Sequence, residues 1–202
     1  KHEPSALAWA KEQHADSFGF LRFSQFLFFR QWQRLKNCAH EKGIRLIGDL
    51  PIFVAHDSAD VWTHPEWFEL DPDGNPIRVA GVPPDYFSPT GQRWGNPLFL
   101  WEAMESSGYS WWKRRLRILL ETVDLVRIVH FRGFDQYWAI PAEDQTAENG
   151  SWIQGPGKSF FDAMFREFGS LPVIAEDLGL ITPEVNSMRN ECGFPGMKVL
   201  QF

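Results

Sequence analysis

Short apolar runs alternate with segments of helical periodicity along most of the chain, and this alternation constrains the fold more than any other feature. The runs typical of strands lie at 44–48, 125–134, 171–175 and 198–202. The segments with helical spacing lie at 17–40, 109–123, 159–168 and 183–192. Strands that alternate with helices form right-handed crossovers and a parallel sheet. The sequence therefore predicts an α/β fold.

Two long segments, 54–97 and 140–158, show no lasting period and are rich in Gly, Pro and polar residues. Connections of that length in a compact protein are usually functional. Four strands do not close an eight-stranded barrel, and no capping element follows the last run, so the pattern predicts part of a (β/α)8 barrel. The alternative is an open doubly wound sheet. It is disfavoured because no glycine-rich phosphate loop follows any predicted strand.

Composition indicates a globular protein, with 44% apolar and 23% charged residues. The sequence contains neither a signal peptide nor an apolar run long enough to span a membrane, and the missing initiator Met favours an internal fragment. Cys38 and Cys192 have no metal-ligand spacing, so we expect two buried, reduced thiols in a cytoplasmic protein. The 10 Trp and 18 Phe fit a large core, and they also suit a cleft in which sugar rings stack on aromatic rings.

The charge pattern gives little support to nucleic-acid binding. The net charge is −6, and the one basic cluster, Lys113 to Arg115 with Arg117, is expected to form a solvated helix face. The six histidines show no helical pairing around a glutamate, which argues against a zinc site. We expect neither a metal nor a cofactor.

Charged residues stand where three of the predicted strands end. They are Asp49, Arg127 with His130, and Glu176 with Asp177. Carboxylates that converge at the mouth of a barrel suit glycoside chemistry, in which one protonates the leaving oxygen and another attacks or stabilises the anomeric carbon. The alternative is structural: Asp49 and Asp177 would be turn or cap residues, and Arg127 and Glu176 an ion pair.

Several long motifs carry a resemblance to a known family. They are IGDLPIFV (47–54), DSADVW (57–62), AGVPPDYFS (80–88), GQRWGNP (91–97), HFRGF (130–134), IAEDLG (174–179) and GFPGMKVLQF (193–202). From about Phe20 to its end, the chain closely resembles the 4-α-glucanotransferases, also called amylomaltases or disproportionating enzymes, of the α-amylase clan.

The resemblance implies a (β/α)8 barrel of which residues 1–202 form a partial catalytic domain. This part would hold about strands three to six and lack the first and last strands. The implied reaction cleaves an α-1,4 bond in a maltooligosaccharide or starch-type glucan. It transfers the segment with retention to the 4-hydroxyl of an acceptor such as glucose or maltose. No nucleic acid or membrane partner is implied.

The resemblance also assigns roles to individual residues. Glu176 matches the general acid/base of the family. The residues matching its glucan-binding loop over the cleft, which also keeps water out, are Asp85, Tyr86, Phe87, Gln92 and Trp94. Arg127 and His130 match residues that orient the substrate, and Asp49 matches a supporting carboxylate.

Val129 departs from the family pattern. The pattern reads Arg-Ile-Asp-His-Phe-Arg-Gly, in which the aspartate is the nucleophile, and this chain has valine at that position. Strand alternation should place Arg127, Val129 and Phe131 on one face, so Val129 should point where the aspartate would. The third catalytic carboxylate of the family would lie after Phe202. We therefore expect no catalysis by this chain alone; the alternatives are a glucan-binding module without catalysis and a hydrolase of the same clan.

Overall fold

The computed structural model describes residues 2–201. The chain divides into two compact units, one up to Leu46 and one from Ile47 onward. The first unit contains α1 (Pro4–Gln13) and α2 (Ala15–Glu41). The helix predicted at 17–40 is therefore confirmed. Many of its apolar side chains, including Phe20 and Phe23, are exposed.

The second unit contains both strands and helices. Its elements are β1 (Ile47–Pro51), α3 (Ala59–Thr63), β2 (Arg78–Val82), β3 (Gln92–Pro97), α4 (Trp101–Ser106), α5 (Ser110–Thr122), β4 (Leu125–Val129), β5 (Gln136–Pro141), β6 (Ser151–Gln154), α6 (Gly157–Phe168), β7 (Val173–Ala175) and α7 (Pro183–Glu191). Short 3-10 turns lie at Pro65–Trp67 and Phe131–Phe134.

Three strands form the expected parallel sheet, in the order β1-β4-β7. Asp49 pairs in register with Arg127, which pairs in turn with Ile174. One face of the sheet is buried, and β4 contributes Val126 and Ile128 to it. Amphipathic helices add further buried side chains to the core of this unit, namely Trp111, Trp112 and Leu116 from α5 and Phe160, Phe161 and Met164 from α6. Burial of these large apolar side chains stabilises the unit.

The second sheet is antiparallel, has the order β3-β2-β5-β6, and lies largely within the two segments that the sequence left without structure. Strand β2 pairs with β3 next to it in the chain and also with β5, so that Arg78 faces Pro141. The expectation of irregular structure at 54–97 and 140–158 was wrong. A strand stabilised by a distant partner leaves little local pattern in its own sequence.

The parallel strands differ from prediction at their ends. The first strand begins at Ile47 rather than Ile44, and β4 ends at Val129, because His130 takes a left-handed conformation with φ 57°. Phe131 therefore does not continue the strand face and is fully buried against Phe161.

The fourth predicted strand, at 198–202, is not formed in the described residues. Residues 198–201 are irregular and end in a turn, and Phe202 lies outside the described residues. The backbone N–H of Ala175 donates to the carbonyl of Pro195 at 2.9 Å, so the chain does reach the edge of β7 at that point.

Tyr109 and Thr182 are the N-cap residues of two helices, and both cysteines are less buried than expected. Helix α7 begins at Pro183 as predicted, and Thr182 caps it, since the Thr182 Oγ1 accepts from the Val185 N–H at 3.4 Å. The N-cap of α5 is Tyr109, whose backbone is left-handed. The expected burial of both cysteines was wrong, because Cys38 is exposed and Cys192 is only partly buried.

Within residues 2–201, no helix has the length and apolar character needed to cross a bilayer.

Candidate active site

A cavity of about 240 Å³ lies where the carboxyl end of the parallel sheet meets the antiparallel sheet. Five of the predicted site residues line it together: Asp85, Gln92, Trp94, His130 and Glu176. The other lining residues are Val82, Pro83, Arg132, Trp152, Leu178, Gly179 and Leu180. The cavity therefore joins residues that lie far apart in the sequence.

Glu176 lies directly after β7 and is held by the end of β4. Its backbone N–H donates to the carbonyl of Ile128 at 3.0 Å, and its own carbonyl accepts from the Phe131 N–H at 3.2 Å. Its carboxylate Oε2 accepts from the backbone N–H of His130 at 2.7 Å. These contacts fix the side chain of Glu176 in the cavity wall.

His130 follows Val129 and is a partly buried residue with a neutral imidazole near pH 7. Burial, with a smaller contribution from the positive charge of Arg132, lowers the pKa of His130 to about 4. Its Nε2 has no hydrogen-bond partner among residues 2–201. Its ring meets the ring of Trp94 edge to face, with 4.9 Å between centroids. A Cβ at Gly133 would lie 3.0 Å from its Cδ2, so the absence of a side chain there leaves room for the imidazole.

Asp49 and Arg127 bind each other and do not line the cavity. The Arg127 Nε donates to Asp49 Oδ1 at 2.8 Å and its Nη2 donates to Oδ2 at 2.5 Å. The hydrogen bond from Arg127 holds the pKa of Asp49 below its usual value. The alternative in which Arg127 pairs with Glu176 is therefore wrong, since its ionic partner is Asp49.

Val129 is the last residue of β4 and is partly buried. The burial pattern of the strand alternates, so Val129 shares its face with Arg127 while Val126 and Ile128 face the core. The expected placement of Arg127 and Val129 on the same face of the sheet is therefore confirmed. An isopropyl group offers neither a nucleophile nor a negative charge at this position.

The segment with Asp85, Tyr86 and Phe87 forms the turn between β2 and β3. Asp85 Oδ1 accepts from the backbone N–H groups of Phe87 at 2.9 Å and Ser88 at 2.8 Å, which gives the turn a defined shape. The Tyr86 and Phe87 side chains are 95% and 75% exposed, and neither lines the cavity. Asp85 is thus the one residue of the three that the structure brings to the site.

Arg132 and Trp152 are cavity residues that the sequence reasoning missed. The guanidinium carbon of Arg132 lies 3.8 Å from the centroid of a Trp152 ring, and its Nη1 donates to the carbonyl of Leu180. Arg132 thereby joins two walls of the cavity. The position of Arg132 inside the HFRGF motif could have indicated that it belongs to the site. No such indication existed in the sequence for Trp152, because its position depends on the pairing of β5 with β6.

Asp177, which follows Glu176, has a structural role. Its carboxylate is an ion-pair partner of Arg189, and its Oδ1 accepts from the backbone N–H of Met197 at 2.7 Å. This agrees with the structural alternative for Asp177. In the part of the chain that the structure describes, His, Cys, Asp and Glu form no group of three that could hold a metal.

A mixed α/β fold with a cavity at the carboxyl ends of parallel strands is typical of α/β enzymes. A family model described as 4-alpha-glucanotransferase matches residues 1–202. The chain therefore belongs to the 4-alpha-glucanotransferase family.

Relatives and a solved structure agree with this family. The chain is 58% identical to the 4-alpha-glucanotransferase of Thermus thermophilus over 202 residues, which are 100% of this chain and 40% of that protein. It is 47% identical to the chloroplastic/amyloplastic 4-alpha-glucanotransferase of Solanum tuberosum, covering 98% of this chain and 34% of that protein. The amylomaltase from Streptococcus agalactiae in complex with acarbose superposes with a TM-score of 0.95 at 42% identity, over 99% of this chain and 40% of that one. The chain thus spans about 40% of the length of the Thermus relative.

Proposed function

We propose that this chain is the central part, about strands three to six, of the (β/α)8 barrel of a 4-α-glucanotransferase, and that its cavity binds an α-1,4-glucan. The observation that carries the proposal is the position of Glu176. Its carboxylate is fixed on the His130 backbone in a cavity that also contains Asp85, Gln92 and Trp94. The parallel order β1-β4-β7, with its polar residues at the carboxyl ends, supports the barrel.

The cavity suits a sugar chain, and we propose a maltooligosaccharide or starch-type glucan as donor with glucose or maltose as acceptor. Trp94 is 37% exposed, so its ring offers a face for stacking against the sugar. Gln92 and Asp85 supply hydrogen-bonding groups for hydroxyls. The acarbose bound to the Streptococcus amylomaltase supports this substrate class.

Glu176 would act as the general acid/base. In a retaining transfer, one carboxyl group protonates the leaving oxygen and then accepts the proton of the acceptor hydroxyl. A second carboxylate must form the glycosyl ester. Asp49 and Arg127 would support the substrate from the sheet face next to position 129. Tyr86 and Phe87 would support it from the turn between β2 and β3.

Val129 prevents the covalent step, because valine has no oxygen to form the ester. Loss of a nucleophile lowers turnover by on the order of 10⁴-fold or more. We therefore propose that the form with Val129 binds glucan and does not transfer it. This also favours the second candidate function, a glucan-binding relative without catalysis.

Maltotriose disproportionation by the complete gene product tests the proposal. The form with Val129 should leave maltotriose unchanged while binding acarbose by calorimetry, and Val129→Asp should redistribute the chain lengths. Val129→Asn is the matched control, because it has the shape of aspartate without its charge. Equal activity of the Val129 and Asp forms would overturn the nucleophile assignment, and release of reducing sugar without redistribution would indicate the hydrolase.

A further inference from the structure

A second cavity, of about 380 Å³, lies between α3 and α5 and shares no lining residue with the candidate active site. Its polar lining residues are Asp60, Thr63, His64, Arg114 and Arg115, and its other lining residues are Ala59, Trp111 and Ile118. The two arginines belong to the basic cluster for which the sequence predicted a solvated helix face.

The structure divides that cluster into two pairs. Lys113 and Arg117 both form ion pairs with Glu167. Arg114 and Arg115 line the cavity, and neither forms an ion pair with any residue between 2 and 201. The two basic residues of α5 that have no ionic partner among the described residues are therefore the two that line the cavity.

Arg115 is held in a fixed orientation. Its guanidinium carbon lies 5.1 Å from ring centroids of both Trp111 and Trp112, and its Nη1 donates to the Ile52 carbonyl at 3.5 Å. Desolvation of this partly buried side chain lowers the pKa of Arg115 to about 10, against the opposing effect of Asp60, so its charge is incompletely compensated. An anion would supply that compensation, and a rigid guanidinium loses little conformational entropy on binding it.

Asp60 does not cancel the positive charge of the cavity. Its Oδ1 accepts from the Trp111 indole N–H at 2.8 Å, so part of its hydrogen-bonding capacity is already used. Arg114 and Arg115 carry two positive charges into the lining, and Asp60 carries one negative charge. The cavity also has room for more than a single phosphate group, with Asp60 Oδ2 available to accept from a hydroxyl, while the Thr63 hydroxyl donates to the Ala59 carbonyl at 2.6 Å.

We propose that this cavity is a binding site for a phosphate group, held by Arg114 and Arg115, on a small molecule such as a phosphorylated sugar or as free phosphate. Planar guanidinium groups bind phosphate oxygens through paired, charge-assisted hydrogen bonds. The site goes beyond the proposed glucan chemistry and does not depend on it.

Calorimetric titration of inorganic phosphate into the full chain at low ionic strength tests the site. We expect saturable binding that Arg114→Gln weakens about tenfold or more, since one charge-assisted contact is lost. Arg114 is exposed, so this variant should keep the fold. Arg115→Lys keeps the charge but removes the planar fork, and it should also weaken binding.

Arg117→Gln is the matched control, because it removes the same charge from the same helix outside the cavity. It should leave phosphate affinity within about twofold, as expected for a screened, distant charge. A hexose phosphate that binds more tightly than phosphate would show that the rest of the cavity holds the sugar. Equal affinity would show that the phosphate group alone is recognised. Absence of saturable phosphate binding, equal loss in Arg114→Gln and Arg117→Gln, or equal binding of unphosphorylated glucose would overturn the proposal.

Discussion

The Glu176 carboxylate accepts a 2.7 Å hydrogen bond from the backbone N–H of His130, the residue directly after Val129. The candidate acid/base is therefore hydrogen-bonded to the backbone next to Val129, the proposed nucleophile position. A backbone donor does not change when a neighbouring side chain is replaced. The separation of the two positions should thus survive replacement of Val129.

Replacement of Glu176 by glutamine separates its structural role from its proton-transfer role. The amide oxygen of Glu176→Gln still accepts from the His130 N–H, so the free energy of unfolding should fall by less than about 1.5 kcal/mol. The amide cannot donate a proton as a carboxyl group does. In a Val129→Asp background, maltotriose disproportionation should fall by on the order of 10²- to 10⁴-fold.

Glu176→Ala serves as the control in urea unfolding, because it removes the acceptor altogether and should cost about 1.5–3 kcal/mol. Disproportionation by Glu176→Gln at the rate of its Val129→Asp parent would contradict the acid/base role. A loss of stability in Glu176→Gln as large as in Glu176→Ala would contradict the structural role of Glu176 as the acceptor for the His130 N–H.

His130 should make the protein less stable as the pH falls below 6.5. The pKa of its imidazole is about 4 in the folded state, against 6.5 for an ordinary histidine. Between these values the unfolded chain binds the proton and the folded chain does not, so stability falls with pH. The loss begins as the pH falls through about 6.5 and amounts to roughly 3 kcal/mol near pH 4.

The measurement is urea unfolding at a series of pH values for the native chain and for His130→Asn. Asparagine tolerates the left-handed backbone at this position and does not titrate. Subtraction of the two curves removes the contribution of the carboxylates that both proteins share. A difference that stays constant between pH 4 and 6.5 would show that the imidazole titrates normally.

The Asp49–Arg127 pair should contribute little to stability despite its good geometry. The two side chains are 46% and 33% exposed, and exposed ion pairs are worth about 0–1 kcal/mol. Asp49→Asn should therefore lower the free energy of unfolding by less than about 1 kcal/mol, and added salt should reduce the difference. Because the folded pKa of Asp49 is lowered, the contribution is present above pH 3.8 and is lost as the pH falls below it.

The Glu69–Arg78 pair provides a comparison within the same chain. It has the same two-bond geometry, at 2.8 and 3.0 Å, with Glu69 only 17% exposed. Glu69→Gln should cost more than Asp49→Asn in the same denaturant titration. A larger loss for Asp49→Asn would mean that Asp49 makes a contribution beyond its contact with Arg127.

The parts of the fold that follow from local pattern were predictable from the sequence. Amphipathic spacing located α2, α5 and α6, and the Thr182-Pro183 pair located the start of α7, because each signal lies within its own element. The polar strand ends pointed to Glu176 and His130. Their place in one cavity follows from the parallel strands β4 and β7 ending at the same edge, whereas Trp94 reaches the cavity from β3 of the antiparallel sheet.

The remaining features depend on contacts between distant residues. The β2–β5 pairing joins distant parts of the antiparallel sheet, and Trp152 on β6 reaches the cavity through the pairing of β6 with β5. Strand β4 ends because His130 adopts a left-handed backbone conformation. An asparagine or glycine at this position would have predicted that conformation more clearly than a histidine does. Arg132 becomes a cavity residue through its contacts with Trp152 and Leu180.

Gly155 is a position where the fold should tolerate no side chain. It follows β6, and its N–H donates to the Asp135 carbonyl at 2.6 Å. A Cβ at Gly155 would overlap the carbonyl group of Phe134 and lie 2.8 Å from the Gly133 oxygen. These are backbone atoms of the turn that carries Arg132, so they cannot rotate away as a side chain would.

Gly155→Ala should therefore lower the free energy of unfolding by about 1–3 kcal/mol, the usual cost of forced overpacking. Gly19→Ala is the control, because Gly19 lies inside α2 and its added Cβ would contact nothing within 4 Å. That substitution should raise helix stability by about 0.5–1 kcal/mol. Thermal unfolding of both variants checks the pair, and acarbose calorimetry on Gly155→Ala shows whether the displaced turn reaches the cavity. Equal stability of the two variants would mean that the close approach at Gly155 does not constrain the turn.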